Sequence, residues 1–143
     1  MARFKRTASE IAPASLLVMM MALCAFGADV ATPHTVVVEG LVRDVACPIQ
    51  NHESTATNFS LECALACAKS GSPLIILTKA GDIYFPISDK MPDPSQRQVL
   101  MPFIGKYVYA SGEVFERNGT RAIAIKKIHE IKGQHLNSKA FSE

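Results

Sequence analysis

The 143-residue sequence lacks the residue patterns on which the common enzyme active sites depend. It shows no Ser-His-Asp order, no paired carboxylates suited to acid–base catalysis and no glycine loop of the kind that cradles phosphate. Acyl transfer, glycoside hydrolysis and nucleotide chemistry need those arrangements. We therefore expect that the protein is not an enzyme.

The chain beyond residue 27 also lacks an excess of charge of either sign. Of the 15 Lys and Arg residues, three lie within residues 1–27, as does one of the 13 Asp and Glu residues, which leaves 12 of each. A neutral domain has no positive field to attract phosphates. Nucleic acid is therefore not an expected partner, and we expect the aromatic side chains to pack rather than stack on bases: Tyr107, Tyr109 and Phe115.

No hydrophobic run is long enough to span a bilayer, which takes roughly 20 residues. The apolar run at 14–26 follows the basic residues of the first six positions, and the small residues Ala25 and Gly27 lie at its end. That order is typical of a secretory signal peptide, here residues 1–27. We expect a periplasmic or secreted protein with no stable membrane span after cleavage. The alternative is a membrane anchor, through an uncleaved signal or a lipid on Cys24, although Leu23 before it is large.

Five segments rich in β-branched and aromatic residues follow a predicted extended lead-in at 28–35. They are 35–45, 74–78, 83–87, 107–116 and 120–128. Gly40 predicts a bulge or sharp bend in the first strand. Asn118-Gly119 predicts a two-residue hairpin turn before the last. We expect a mainly β, five-stranded OB-like barrel over 36–131, with an α+β sandwich as the alternative and a frayed tail at 132–143.

One short helix is predicted after the first strand, over residues 61–70. Asn58 or Ser60 can cap its first turn, and Gly71 is a typical stop. The preceding segment, 49–60, is polar and predicts a loop.

Cysteines concentrate around this helix. Removal of Cys24 with the signal leaves three, at Cys47, Cys63 and Cys67. Cys63 and Cys67 are four residues apart, so their thiols point to the same side of the helix. Export exposes thiols to an oxidising compartment, where pairing is expected, but an odd number leaves one unpaired or engages all three in another role.

The first interpretation is a metal site made by Cys47, His52, Cys63 and Cys67. Three thiolates and one imidazole form a known tetrahedral zinc set, and thiolates also bind Cu(I). The spacing C-x4-H-x10-C-x3-C is not a standard zinc-finger signature. This interpretation predicts an exported soluble protein that holds zinc or copper.

The second interpretation is a structural disulfide from Cys47 to Cys63 or Cys67, because two cysteines on one regular helix suit a mutual bridge poorly. It predicts a disulfide-stapled OB module that acts as a protein-binding subunit of a cell-envelope complex. A redox-active pair is a third interpretation, but the C-x3-C spacing differs from the usual C-x-x-C.

Several short motifs follow one another along the chain: Gly40-x-Val42-x-Asp44-x-x-Cys47, Cys63-Ala64-x-x-Cys67, Gly71-x-Pro73, Gly81-Asp82-x-Tyr84, Gly105-Lys106-x-Val108 and Gly112-x-Val114. Their order resembles a group of small exported bacterial proteins of OB type with a C…C-x3-C pattern. The resemblance covers roughly residues 36–128 and implies the fold and the export, and it implies no activity.

Overall fold

The computed structural model describes residues 34–133. Five strands in that span form a closed barrel in the order β1-β2-β3-β5-β4. Their bounds are β1 His34–Asp44, β2 Leu74–Leu77, β3 Ile83–Ile87, β4 Tyr107–Arg117 and β5 Thr120–Glu130. The prediction of a five-stranded OB-like barrel is confirmed. The predicted signal peptide, most of the lead-in and most of the tail lie outside the described residues.

Strand β1 is shared between two neighbours. Its first part pairs with β4, from His34 to Leu41, and its last part pairs with β2, from Leu41 to Asp44. Gly40 lies at the changeover, where an added Cβ would sit 2.7 Å from both Cγ2 of Ile76 and the carbonyl oxygen of Leu77. The predicted bend at Gly40 is therefore a place where two strands approach too closely for any side chain.

A parallel ladder between β3 and β5 closes the barrel. Strands β2 and β3 pair antiparallel. The β4–β5 hairpin turns at Asn118 and Gly119, whose φ angles are 50° and 78°. Both values fit the type I′ turn that the dipeptide predicts.

Three short helices accompany the barrel: α1 Ala46–Gln50, α2 Leu61–Lys69 and α3 Arg97–Leu100. The one helix predicted from the sequence, over residues 61–70, agrees with α2, which ends before Gly71 at φ 97°. It buries Ala64 and Ala68, while Leu65 is 38% exposed. Small buried residues let α2 lie close to the barrel.

Helix α1 is a correction to the sequence prediction, which placed a strand end and then a loop there. Pro48 has no N–H for a strand ladder, which is typical of a strand end, but in the structure it occupies the first turn of α1, where a helix needs no N–H from that residue. Helix α3 is followed directly by the 3-10 turn Met101–Phe103. Over residues 34–133, none of the helices has the length and apolar character needed to cross a membrane.

Candidate metal centre

Three cysteine sulfurs meet between α1 and α2. The Sγ atom of Cys47 lies 3.3 Å from that of Cys63 and 4.0 Å from that of Cys67. All three sulfurs lie within 4.8 Å of one another. A disulfide requires about 2.05 Å, and all three cysteines are free thiols. Cys47 therefore approaches both helix cysteines, and the disulfide alternative does not describe this structure.

The N-terminal cap of α2 fixes the position of Cys63. The hydroxyl of Ser60 accepts a hydrogen bond from the backbone N–H of Cys63 at 3.2 Å. Ser60 is thus the cap that the sequence offered as one of two candidates. One helical turn later, Cys67 presents its thiol on the same side, as the sequence predicts.

Asp44 fixes the position of Cys47. Its Oδ2 atom accepts a hydrogen bond of 2.8 Å from the backbone N–H of Cys47. The side chain of Asp44 is fully buried. An acidic side chain is by default predicted to be a surface charge, and for Asp44 that prediction is wrong. Asp44 ends β1 beside the thiols and supports the turn into α1.

Arg43 is a second buried charge beside the centre, with 1% of its surface exposed. Its guanidinium lies 3.7 Å from Oδ1 of Asp44 and donates a 3.2 Å hydrogen bond to the carbonyl of Thr55. It also lies over the ring of Phe59, at 5.5 Å from the centroid. Arg43 therefore connects the end of β1 to the loop that leads into α2. Sequence reasoning missed it, although two adjacent charges at the end of an apolar strand were the available signal.

Two side chains, those of Tyr107 and Arg97, hold the loop before α2 and the C-terminal end of α2 in place. Tyr107 donates a 2.5 Å hydrogen bond from its buried hydroxyl to the carbonyl of Ala56. Arg97 of α3 donates to the carbonyls of Ala68 and Ser72 at the C-terminal end of α2, the second at 2.8 Å. A cation at a helix C-terminus satisfies carbonyls that the helix itself leaves unpaired. Tyr107 packs, as expected, instead of offering a base-stacking surface.

Cys47 and Cys67 lie in surroundings that favour their protonated form. Burial, with contributions from Cys63 and Asp44, raises the pKa of Cys47 to about 11. Burial, followed by the charge of Asp44, also raises the pKa of Cys67. A reactive thiol usually has a lowered pKa, so these surroundings do not favour a redox-active pair. A bound cation would reverse the balance, because it displaces thiol protons.

His52 lies apart from the sulfur cluster. It is exposed in the turn after α1 and lines a shallow depression with Pro48, Thr55 and Lys79. Within residues 34–133, one group of at least three His, Cys, Asp or Glu ligand atoms lies within 4.8 Å of one another, and it consists of the three cysteine sulfurs. The structure thus assembles three of the four predicted ligands and leaves out the histidine.

The sulfur geometry suits one shared ion. Zn–S bonds of about 2.3 Å that meet tetrahedrally place sulfurs roughly 3.8 Å apart, and the observed separations of 3.3 and 4.0 Å bracket that value. The three cysteines are therefore close enough to bind a metal ion. Comparisons of the chain with protein-family models, with curated proteins and with solved structures found no match.

Proposed function

We propose that the protein is an exported metal-binding protein that holds zinc or copper through Cys47, Cys63 and Cys67. The convergence of three free thiols within 4.8 Å carries the proposal. Thiolates are the protein ligands that Cu(I) and Zn²⁺ bind well, whereas Mg²⁺ and Ca²⁺ prefer oxygen. The signal-like residues 1–27 support export.

The surroundings of the sulfurs support binding rather than catalysis. Asp44 places a negative charge next to the thiols, and it is held by Arg43 and by the backbone N–H of Cys47. A fixed carboxylate near the site compensates part of the charge of a bound cation. We accordingly propose a non-enzymatic role, in which the protein holds the ion for handling or for its own stability.

Metal analysis of the purified protein tests the proposal. Protein purified anaerobically and then offered Zn²⁺ or Cu(I) should retain about one equivalent after desalting. Less than a tenth of an equivalent of either metal would overturn the proposal. The variant Cys47→Ser should lose most of the metal, because it removes the sulfur that contacts both others.

His52→Ala is the matched variant, since the sequence predicts His52 as a ligand and the structure places it outside the cluster. Retention of metal by this variant is expected. Loss of metal equal to that of Cys47→Ser would show that His52 joins the sulfurs on binding. A thiol count that finds one free cysteine before any metal is added would favour the disulfide-stapled module instead.

A further inference from the structure

Among residues 34–133, the three-sulfur site offers a bound ion three ligands, one fewer than a tetrahedral ion takes. No fourth His, Cys, Asp or Glu of residues 34–133 joins the cluster. Asp44 is the nearest acidic candidate by sequence, but neither of its oxygens groups with the three sulfurs. Oδ2 accepts a hydrogen bond from the backbone N–H of Cys47, whereas Oδ1 has no hydrogen-bond partner in the described span and lies 3.7 Å from the guanidinium of Arg43. A zinc site with three protein ligands keeps an open position for an exogenous one, as catalytic zinc sites do.

The exposure of the three cysteines shows where the open position lies. Cys63 is exposed, whereas Cys47 and Cys67 are partly buried between α1 and α2. An ion held by the three sulfurs is therefore covered by protein on the side of Cys47 and reachable from solvent beside Cys63. A structural zinc site, in contrast, is closed by four protein ligands.

We propose that the site passes its ion to a soft donor atom of a partner, a thiolate or a thioether, which enters through the open position beside Cys63. This inference rests on the proposed function and names the partner chemistry of that same site. Thiolates and thioethers are suitable incoming groups, because they match the donors that hold the ion. The envelope protein expected as a partner would carry such a group.

Exchange at the site proceeds by ligand substitution, and the charge of the metal does not change. The incoming sulfur forms a bond to the ion, and a thiol loses its proton to solvent as it does so. The bond between the ion and Sγ of Cys63 then breaks, and that thiolate takes up a proton from solvent. Cys63 leaves first because it is the most exposed of the three ligands.

The dependence of the transfer rate on acceptor concentration tests this route. Full-length protein loaded anaerobically with Zn²⁺ is mixed with increasing excess of the chelator 4-(2-pyridylazo)resorcinol, and N-acetylcysteine serves as a soft acceptor in a parallel series. We expect the observed rate to rise linearly with acceptor concentration. A rate independent of acceptor would mean that the ion leaves before the acceptor binds, and it would overturn the inference. Failure to load any metal would overturn the proposed function itself.

Two matched variants of α2 sharpen the test. Ala66 lies three residues after Cys63 on an exposed position of the same side, so Ala66→His supplies a fourth ligand at the open position. Leu65 is also exposed, but its spacing of two residues points it away from Cys63. We expect Ala66→His to slow transfer at least tenfold and Leu65→His to leave it unchanged. The same slowing in both variants would contradict the assigned position.

Cobalt provides a readout that does not depend on transfer. Co²⁺ bound in place of zinc reports its ligands through its visible absorption, so a new nitrogen ligand in Ala66→His should shift the spectrum. Leu65→His should give the wild-type spectrum. Unshifted spectra in both variants, with unchanged transfer rates, would show that the open position is not beside Ala66 and would overturn the inference.

Discussion

The backbone N–H of Cys47 donates a 2.8 Å hydrogen bond to Oδ2 of Asp44, whose side chain is fully buried. The carboxylate also faces the guanidinium of Arg43. A buried charge pair therefore lies directly beside the cluster of three cysteines. Such a pair is costly to leave half-complete, which makes Asp44 the position where the fold and the proposed metal site depend on each other.

Asp44→Asn should weaken metal binding and the fold together. The amide keeps an oxygen for the N–H of Cys47 but removes the negative charge near the ion. Loss of a charged group beside a metal ligand typically lowers affinity 10–100-fold, which competition with a chelator would measure. Because Arg43 loses its counter-charge, the free energy of unfolding of the metal-free protein should fall by about 3 kcal/mol.

Glu53→Gln is the control for Asp44→Asn, since Glu53 is an exposed acid close to the cysteines in sequence. Neither affinity nor stability should change by more than about 0.5 kcal/mol. Equal effects of the two substitutions would contradict the role assigned to Asp44.

The metal-free, reduced protein should lose stability between pH 9 and pH 11. The pKa of Cys47 is raised from 9.0 to about 11, mainly by burial. In that window the unfolded chain releases the thiol proton while the folded chain keeps it, so the free energy of unfolding falls as pH rises. Below pH 9 both states are protonated and the contribution is fully present.

The expected loss across this window is about 2 kcal/mol, measured by urea denaturation with a strong chelator present. Cys47→Ser is the matched control and should show a shallower decline, because serine does not ionise in this range. Parallel curves for the two proteins would show that Cys47 does not keep its proton on folding.

Arg97→Gln should destabilise the protein by about 2 kcal/mol, because hydrogen bonds from charged donors contribute about that much. The substitution removes the bonds to the carbonyls of Ala68 and Ser72. The midpoint of thermal unfolding reports the change. Arg117→Gln, at the exposed end of β4, should leave the midpoint almost unchanged, and similar shifts in both would refute the capping role of Arg97.

Gly40→Ala should cost more than Gly81→Ala. The new Cβ at position 40 would meet Cγ2 of Ile76 and the backbone of Leu77 at 2.7 Å. Overpacking against backbone costs about 1–3 kcal/mol. Gly81 has open space around it but a φ of 94°, so its substitution carries only the left-handed backbone cost of about 1 kcal/mol. Denaturant unfolding of both variants compares the two costs, and a larger loss for Gly81→Ala would contradict this account.

Features set by local chemistry were predictable from the sequence. Asn118 and Gly119 fix a hairpin through their own φ preferences, and Ser60 caps α2 through one nearby N–H. The glycine-bent first strand and the final hairpin predicted an OB-like barrel, which the structure confirms. The shared direction of Cys63 and Cys67 required only helical periodicity.

Features that depend on tertiary packing were not predictable in the same way. Asp44 looked like an ordinary surface acid, because burial depends on what covers the end of β1. His52 is predicted as a ligand because it lies five positions after Cys47. Cys47 lies within helix α1, however, and the chain leaves this helix before His52, which is exposed in the following turn. Pro48 is compatible with both a strand end and the first turn of a helix, and in the structure it lies in the first turn of α1.

The sharing of β1 between two neighbours also affects the order in which the chain can fold. The ladder with β4 pairs His34 with Val114, which are far apart in the sequence, whereas Cys47 and Cys63 are only 16 positions apart. Closing a short loop costs less entropy than closing a long one. An ion captured by the cysteines would join β1 to its neighbouring helix before the distant strands arrive, and refolding should accordingly be faster with Zn²⁺ than with a chelator. The metal would then act as a folding nucleus as well as a cargo.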